Sequence, residues 1–133
     1  MEVLIDGKNA VMGRLSSYVA KQVLLGKEVI VINSNEVIIT GRKEDIYKKY
    51  SELFKKGGHS QKGPKILRTP ERMLKRAIRG MLSHKQGRGL DALKRVKCYN
   101  TTPEQYKDSK KVVAGKEKHS KYITLKELCV LLR

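Results

Sequence analysis

Tryptophan is absent from this 133-residue chain, phenylalanine occurs once, and aromatic residues make up only 5% of it. Proteins that hold single-stranded nucleic acid stack its bases on exposed rings, so this shortage argues against such a platform. Cysteine is nearly as scarce. Cys98 and Cys129 lie far apart with no Cys-x-x-Cys spacing, which fits two free thiols in a reducing compartment better than a disulfide or a zinc site. His59, His84 and His119 have no metal-ligand spacing with one another or with the cysteines, and nothing supports a catalytic dyad among them. No run approaches about eighteen apolar residues, so no segment is expected to span a bilayer. The opening residues lack the basic start and long apolar stretch of a signal peptide.

Acidic residues are the other shortage. Thirteen Asp and Glu face thirty Lys and Arg, a net charge of +17 with a pI near 10.0. Such an excess makes the chain repel itself and points to a polyanionic partner. It is also unevenly placed. Residues 1–54 carry a net +1 and residues 98–133 a net +4, whereas residues 55–97 hold fourteen basic residues against Glu71 and Asp91, a net +12. A generally solvated basic surface would spread its charge, so the middle third reads as a binding segment. Hydrophobic residues make up 39% of the chain. That is enough for a folded core, and the length suits one domain over residues 1–133.

The apolar pattern supplies alternating elements. Val3 to Ile5 reads as a strand closed by Asp6-Gly7. Met12, Leu15, Val19 and Val23 recur at helical spacing, and Gly26 is a natural left-handed stop. Val29 to Ile32 is wholly β-branched and does not alternate, as in a strand buried on both faces of a central sheet. Asn33-Ser34-Asn35 is turn chemistry before a further strand, Val37 to Thr40, and so short a connection favours antiparallel pairing. Ile46, Tyr50 and Leu53 mark a second helix. The order of strands and helices indicates an α/β domain.

The basic segment opens with a glycine-rich loop from Lys55 to Lys65 that contains Lys56, His59 and Lys62. Thr69-Pro70 then supplies an N-cap and a first-turn proline for a helix predicted over Thr69 to Ser83. Leu74, Ala77, Ile78, Met81 and Leu82 are expected on its buried face, and Arg72, Lys75, Arg76 and Arg79 on its other face. Gly87-Arg88-Gly89 is expected to break the chain before a short helix from Leu90 to Lys94, and Val96 to Tyr99 reads as a last core strand. Asn100 to Ser120 is polar and reads as loop. Thr124-Leu-Lys-Glu127 has the spacing of a capping box, ahead of a terminal helix over about 124–132 that carries Leu125, Leu128, Cys129 and Leu132.

The helix cations, flanked by Lys55, Lys56, Lys62, Lys65, Arg68, Lys85 and Arg88, point to phosphate. Arginine suits it because its planar fork makes paired hydrogen bonds. His59 and His84 fit as additional donors, and Arg14, Arg42, Lys43 and Lys94 complete the candidate RNA-binding set. Loop glycines let the main chain approach a phosphate surface closely. Gly13-Arg14 and Gly41-Arg42-Lys43 could each hold a phosphate at a helix start, which would suit a nucleotide-dependent or RNA-processing enzyme. Neither completes a nucleotide-binding glycine motif, and tight turns explain these glycines more simply. An acidic membrane surface is the third reading, against which the helix's apolar side is expected to be buried already.

Arg79-Gly80-Met81-Leu82-Ser83-His84-Lys85, followed by Gly87-Arg88-Gly89, resembles the L-thirteen family of large ribosomal subunit proteins. Met12 to Ser17 looks like that family's opening helix, Val29 to Asn33 and Val37 to Gly41 like its paired strand motif, and Leu93 to Lys97 with Tyr99 like its last core strand. The resemblance covers roughly residues 3 to 99 in order, and the basic middle and the ending are most similar to the archaeal branch. It departs at Ser83, where relatives are expected to carry proline. The resemblance implies a three-layer α/β/α domain on a mostly parallel four-stranded sheet, which overrides the antiparallel inference at Asn33 to Val37. It also implies a structural constituent of the cytoplasmic large subunit, with ribosomal RNA and neighbouring ribosomal proteins as partners. No enzymatic activity, cofactor, metal or small-molecule substrate is expected.

Overall fold

Glu28–Ile32 (β2) is the strand around which the sheet is built, and its last four residues are all buried. It pairs in parallel with Glu2–Asp6 (β1) on one side and Val96–Cys98 (β4) on the other. Val112–Val113 (β5) pairs in parallel beyond β1, so the sheet order is β4-β2-β1-β5. The computed structural model describes residues 2–56, 67–113, 115 and 120–132. Val29 and Val31 join Ile5, Val96 and helix residues in one core cluster. Ile30 and Ile32, at alternate positions, serve the opposite face and are equally buried. Each fully buried aliphatic side chain contributes about 1.5–3 kcal/mol, which makes a non-alternating β-branched strand the natural centre. The α/β fold with a parallel four-stranded sheet is therefore as expected.

Met12–Leu24 (α1) connects β1 to β2 and buries Leu15, Val19, Ala20 and Val23. Its end is set by Gly26, whose φ of 93° is left-handed. The Gly26 N–H bonds the Val23 carbonyl at 3.1 Å and the Lys27 N–H bonds the Gln22 carbonyl at 3.3 Å, the paired closure of a Schellman stop. The Arg95 guanidinium donates to the same Val23 carbonyl, a cation at the negative end of the helix. Between β2 and β4 lie Pro70–Gly80 (α3) and Gly87–Lys94 (α4). Both crossovers step in the same direction along the sheet, so right-handed connections put α1, α3 and α4 on one face. The return from β4 to β5 crosses the other face, with a single 3-10 turn at Glu104–Tyr106.

The short connection after β2 does not decide pairing within the sheet. Asn33 takes a left-handed φ of 57° and a 3-10 turn at Ser34–Glu36 leads the chain away. Ile38–Thr40 (β3) then pairs antiparallel with Tyr122–Thr124 (β6), in a separate two-stranded sheet. The fourth strand of the main sheet is instead β5, from the stretch read as loop. Two exposed valines beside lysines carry no strand signature of their own; their register with Ile5 and Asp6 defines them. Lys43–Phe54 (α2) and Leu125–Leu132 (α5) frame a second cluster of Ile46, Met73, Ile123, Leu128, Cys129 and Leu132. The Thr124 hydroxyl accepts the Glu127 N–H at 3.2 Å, as the capping-box spacing predicts.

Helix α3 departs from expectation at both ends. Thr69 is the N-cap residue, but its hydroxyl makes no capping bond and is buried without a partner. The Asn100 carboxamide oxygen accepts the Glu71 N–H at 3.0 Å instead. Helix α3 is thus capped from a residue 29 positions away. Replacing Asn100 with Ala is expected to cost about 1 kcal/mol, whereas Thr69→Val should be nearly neutral because no bond is lost; urea denaturation of both variants checks this. At the other end the helix stops at Gly80, not Ser83. The N–H groups of Met81 and Leu82 reach back only three residues, to Ile78 and Arg79. That tighter turn swings Met81 out to 45% exposure while Leu82 stays buried.

Candidate nucleic-acid interface

Arg72, Lys75, Arg76 and Arg79 follow one another at steps of three, one and three, which places them on one stripe of α3. Met73, Leu74 and Ile78 occupy the opposite side and are buried. The helix cannot rotate without exposing that apolar side, so the cations are held outward by core packing. Among the described residues, ion pairs involve only Arg42, with Glu44 and Asp45, and Lys43, with Glu127. Among the described residues, no carboxylate lies within 4.0 Å of the stripe on α3.

The stripe borders two grooves. Between α2 and α3, Arg76, Arg79 and His84 share a recess with Lys49, Tyr50 and Leu53. The His84 Nδ1 lies 3.3 Å from the Arg79 carbonyl. Against an acceptor it must donate, which closes the end of α3 and leaves Nε2 for another partner. Burial pushes the Tyr50 hydroxyl pKa up, and the neighbouring Arg76 charge partly offsets this. Between α3 and β4, Arg72 and Lys75 share a groove with Lys97, Cys98, Tyr99 and the one acid, Glu71. Burial pushes the Cys98 thiol up to about 12, with Lys75 pulling it down and Glu71 raising it further. Such a thiol is protonated at neutral pH and is a poor nucleophile.

The other expected contacts are scattered. Lys55 and Lys56 are exposed after α2, and the Arg68 guanidinium lies over the Phe54 ring at 5.0 Å, a cation–π contact. His59, Lys62 and Lys65 lie outside the described residues, as does most of the glycine-rich loop. Lys85 is exposed in the turn after α3, and Arg88 and Lys94 are exposed on α4. Gly87 and Gly89 do not break the chain. They form the first turn of α4, and Gly89 is there for closeness: a Cβ on it would meet the Ser83 carbonyl oxygen at 2.0 Å. Gly13 lies inside α1 with open space around it, and Arg14 is exposed on the same helix. Gly41 has a φ of 128°, and its N–H is taken by the Lys121 carbonyl. Arg42 and Lys43 line a separate recess with Lys121 and Tyr122.

Lys49 and Lys97 belong to these grooves without having been singled out. Lys97 was legible, since the alternation of Val96 to Tyr99 puts it on the face away from the core. Lys49 was not, because only the packing of α2 beside α3 makes it a neighbour of Arg76. Among the described residues, no group of His, Cys, Asp and Glu could hold a metal, and no helix is long and apolar enough to cross a membrane.

A family model described as ribosomal protein L13 matches residues 1–105. Several relatives described as large ribosomal subunit protein uL13 align over nearly the whole chain. The protein of Methanocaldococcus jannaschii is 42% identical over 128 residues, covering 94% of this chain and 93% of its own. That of Methanococcus maripaludis is 40% identical, with coverages of 98% and 96%. That of Thermoplasma acidophilum is 41% identical, with 94% and 93%. These descriptions are those of a ribosomal protein, not of an enzyme.

Proposed function

The chain belongs to the ribosomal protein L13 family, and from that premise we propose that it is a structural constituent of the large ribosomal subunit that binds ribosomal RNA. The expected setting is the cytoplasmic ribosome, among neighbouring ribosomal proteins. The α/β core acts as a rigid mount, and the cations of α3 neutralise phosphates with help from the exposed lysines and arginines on either side. The observation that carries this reading is the stripe of Arg72, Lys75, Arg76 and Arg79. It is held out by a buried opposite face and has no acidic partner among the described residues. Charges so arranged repel one another until a polyanion arrives.

The enzyme alternative is less well supported. Gly13 is an ordinary helical position, and Arg42 and Lys43 are already engaged with carboxylates. Cys98 is held protonated by its burial.

Replacing Arg76 and Arg79 together by Ala tests the proposal. Each side chain lost from a phosphate contact should lower the slope of log affinity against log salt by about 1, so the double variant should lose about 2. Its thermal midpoint should stay near that of the parent chain, because neither charge makes an ion pair among the described residues. An unchanged slope on a fragment of large-subunit RNA would remove these residues from the interface.

A further inference from the structure

The groove between α3 and β4 runs along an open sheet edge, and its backbone chemistry differs from that of a phosphate track. Among the described residues β4 is the last strand on its side of the sheet. In a parallel ladder, alternate residues of a strand turn their N–H and C=O toward the neighbour. The Val29 N–H bonds the Arg95 carbonyl at 3.0 Å and the Tyr99 N–H bonds the Val31 carbonyl at 2.8 Å. With Val29 opposite Val96 and Val31 opposite Cys98, Lys97 spends both of its backbone groups on β2. Val96 and Cys98 therefore point theirs away from the sheet, toward the groove they line. The Val96 N–H turns back to the Leu93 carbonyl at the end of α4, which leaves the Val96 carbonyl and the N–H and carbonyl of Cys98 without a partner among the described residues.

A phosphate can accept from the Cys98 N–H but offers nothing to the carbonyls of Val96 and Cys98 on either side of it. An extended peptide supplies donors and acceptors in the same alternating order. The rim then selects charge, with Arg72, Lys75 and Lys97 against the single acid Glu71. Resting on the reading that this chain sits among other proteins in the subunit, we propose that the free edge of β4 is a docking site for an extended acidic segment of another polypeptide, which adds beside Val96 and Cys98 as a strand. Its carboxylates would face Arg72 and Lys75 on the helix side of the sheet and Lys97 on the other. The cations of α3 thereby divide, with Arg76 and Arg79 turned to RNA and Arg72 and Lys75 to protein.

The test uses the full chain and a synthetic valine-rich peptide carrying adjacent glutamates, whose side chains fall on opposite faces of the strand, as the probe, read by amide hydrogen exchange. At saturating peptide, exchange at Cys98 should slow by at least about tenfold, while Val96, bonded to the Leu93 carbonyl, and Lys97 and Tyr99, bonded to β2, stay unchanged. The same peptide N-methylated at alternate residues should give no protection. Lys97→Glu reverses an exposed charge that the ladder does not use, and should weaken the peptide about fivefold. Absence of protection at millimolar peptide overturns the proposal. So does protection of the Cys98 amide by a large-subunit RNA fragment whose affinity drops with Lys97→Glu as far as with the Arg76 and Arg79 double variant. RNA binding that still depends on Arg76 and Arg79 while the peptide fails would sink this inference alone.

Discussion

Raising monovalent salt from about 50 to 200 mM should weaken binding to a fragment of large-subunit RNA by roughly 10³- to 10⁵-fold, if about 6–10 phosphates are neutralised. The cause is counterion release. Each phosphate met by a lysine or arginine frees a condensed cation, and that gain shrinks as the bulk salt rises. The described residues supply enough charge for this range on and around α3 even without Arg72 and Lys75: Arg76 and Arg79, joined by Lys49, Lys55, Lys56, Lys85 and Arg88. With so few aromatic residues, little salt-independent stacking is available to mask the effect. A slope near zero in a filter-binding or fluorescence titration would show that binding is not of this kind.

Gly89→Ala should be among the most damaging single-atom changes in the chain. The new Cβ would sit 2.0 Å from the Ser83 carbonyl oxygen and 2.2 Å from its carbon. Both are backbone atoms, so no side-chain rotation relieves the clash, and α4 must move away from the turn that follows α3. The cost should reach the upper end of the about 1–3 kcal/mol typical of overpacking. RNA affinity should fall as well, since Lys85 and Arg88 flank the displaced contact. Gly87→Ala is the control. It lies in the same helical turn with nothing within 4 Å, and should be neutral or stabilising by up to about 1 kcal/mol. Urea midpoints separate the two. Equal effects would mean that the close approach at Ser83 does not hold.

Much of the candidate interface could be read from residue spacing. The two-sided character of α3 follows from its periodicity, because side chains three and four apart must share a face whatever surrounds them. Burial of Met73, Leu74 and Ile78 then settles which face is outward. Met81 was misjudged for a related reason: it would have continued the apolar stripe had the helix gone on past Gly80. The Gly87 to Gly89 stretch was misjudged differently. Glycine signals a chain break or a close approach equally well, and only the Ser83 backbone beside Gly89 distinguishes them.

The sequence by itself determined the central strand Val29 to Ile32, the stop of α1 at Gly26, the cap at Thr124 and the concentration of positive charge on α3. All of these follow from side-chain period, backbone stereochemistry or composition within a few residues. The tertiary structure alone decided that β5 completes the sheet beside β1, that β3 leaves it to pair with β6, and that Asn100 caps α3 in place of Thr69. It also set Lys49 beside Arg76 and Lys97 beside Arg72, dividing one stripe between two grooves. These outcomes depend on groups tens of residues apart meeting at hydrogen-bond or packing distance, and local sequence carries no record of such meetings.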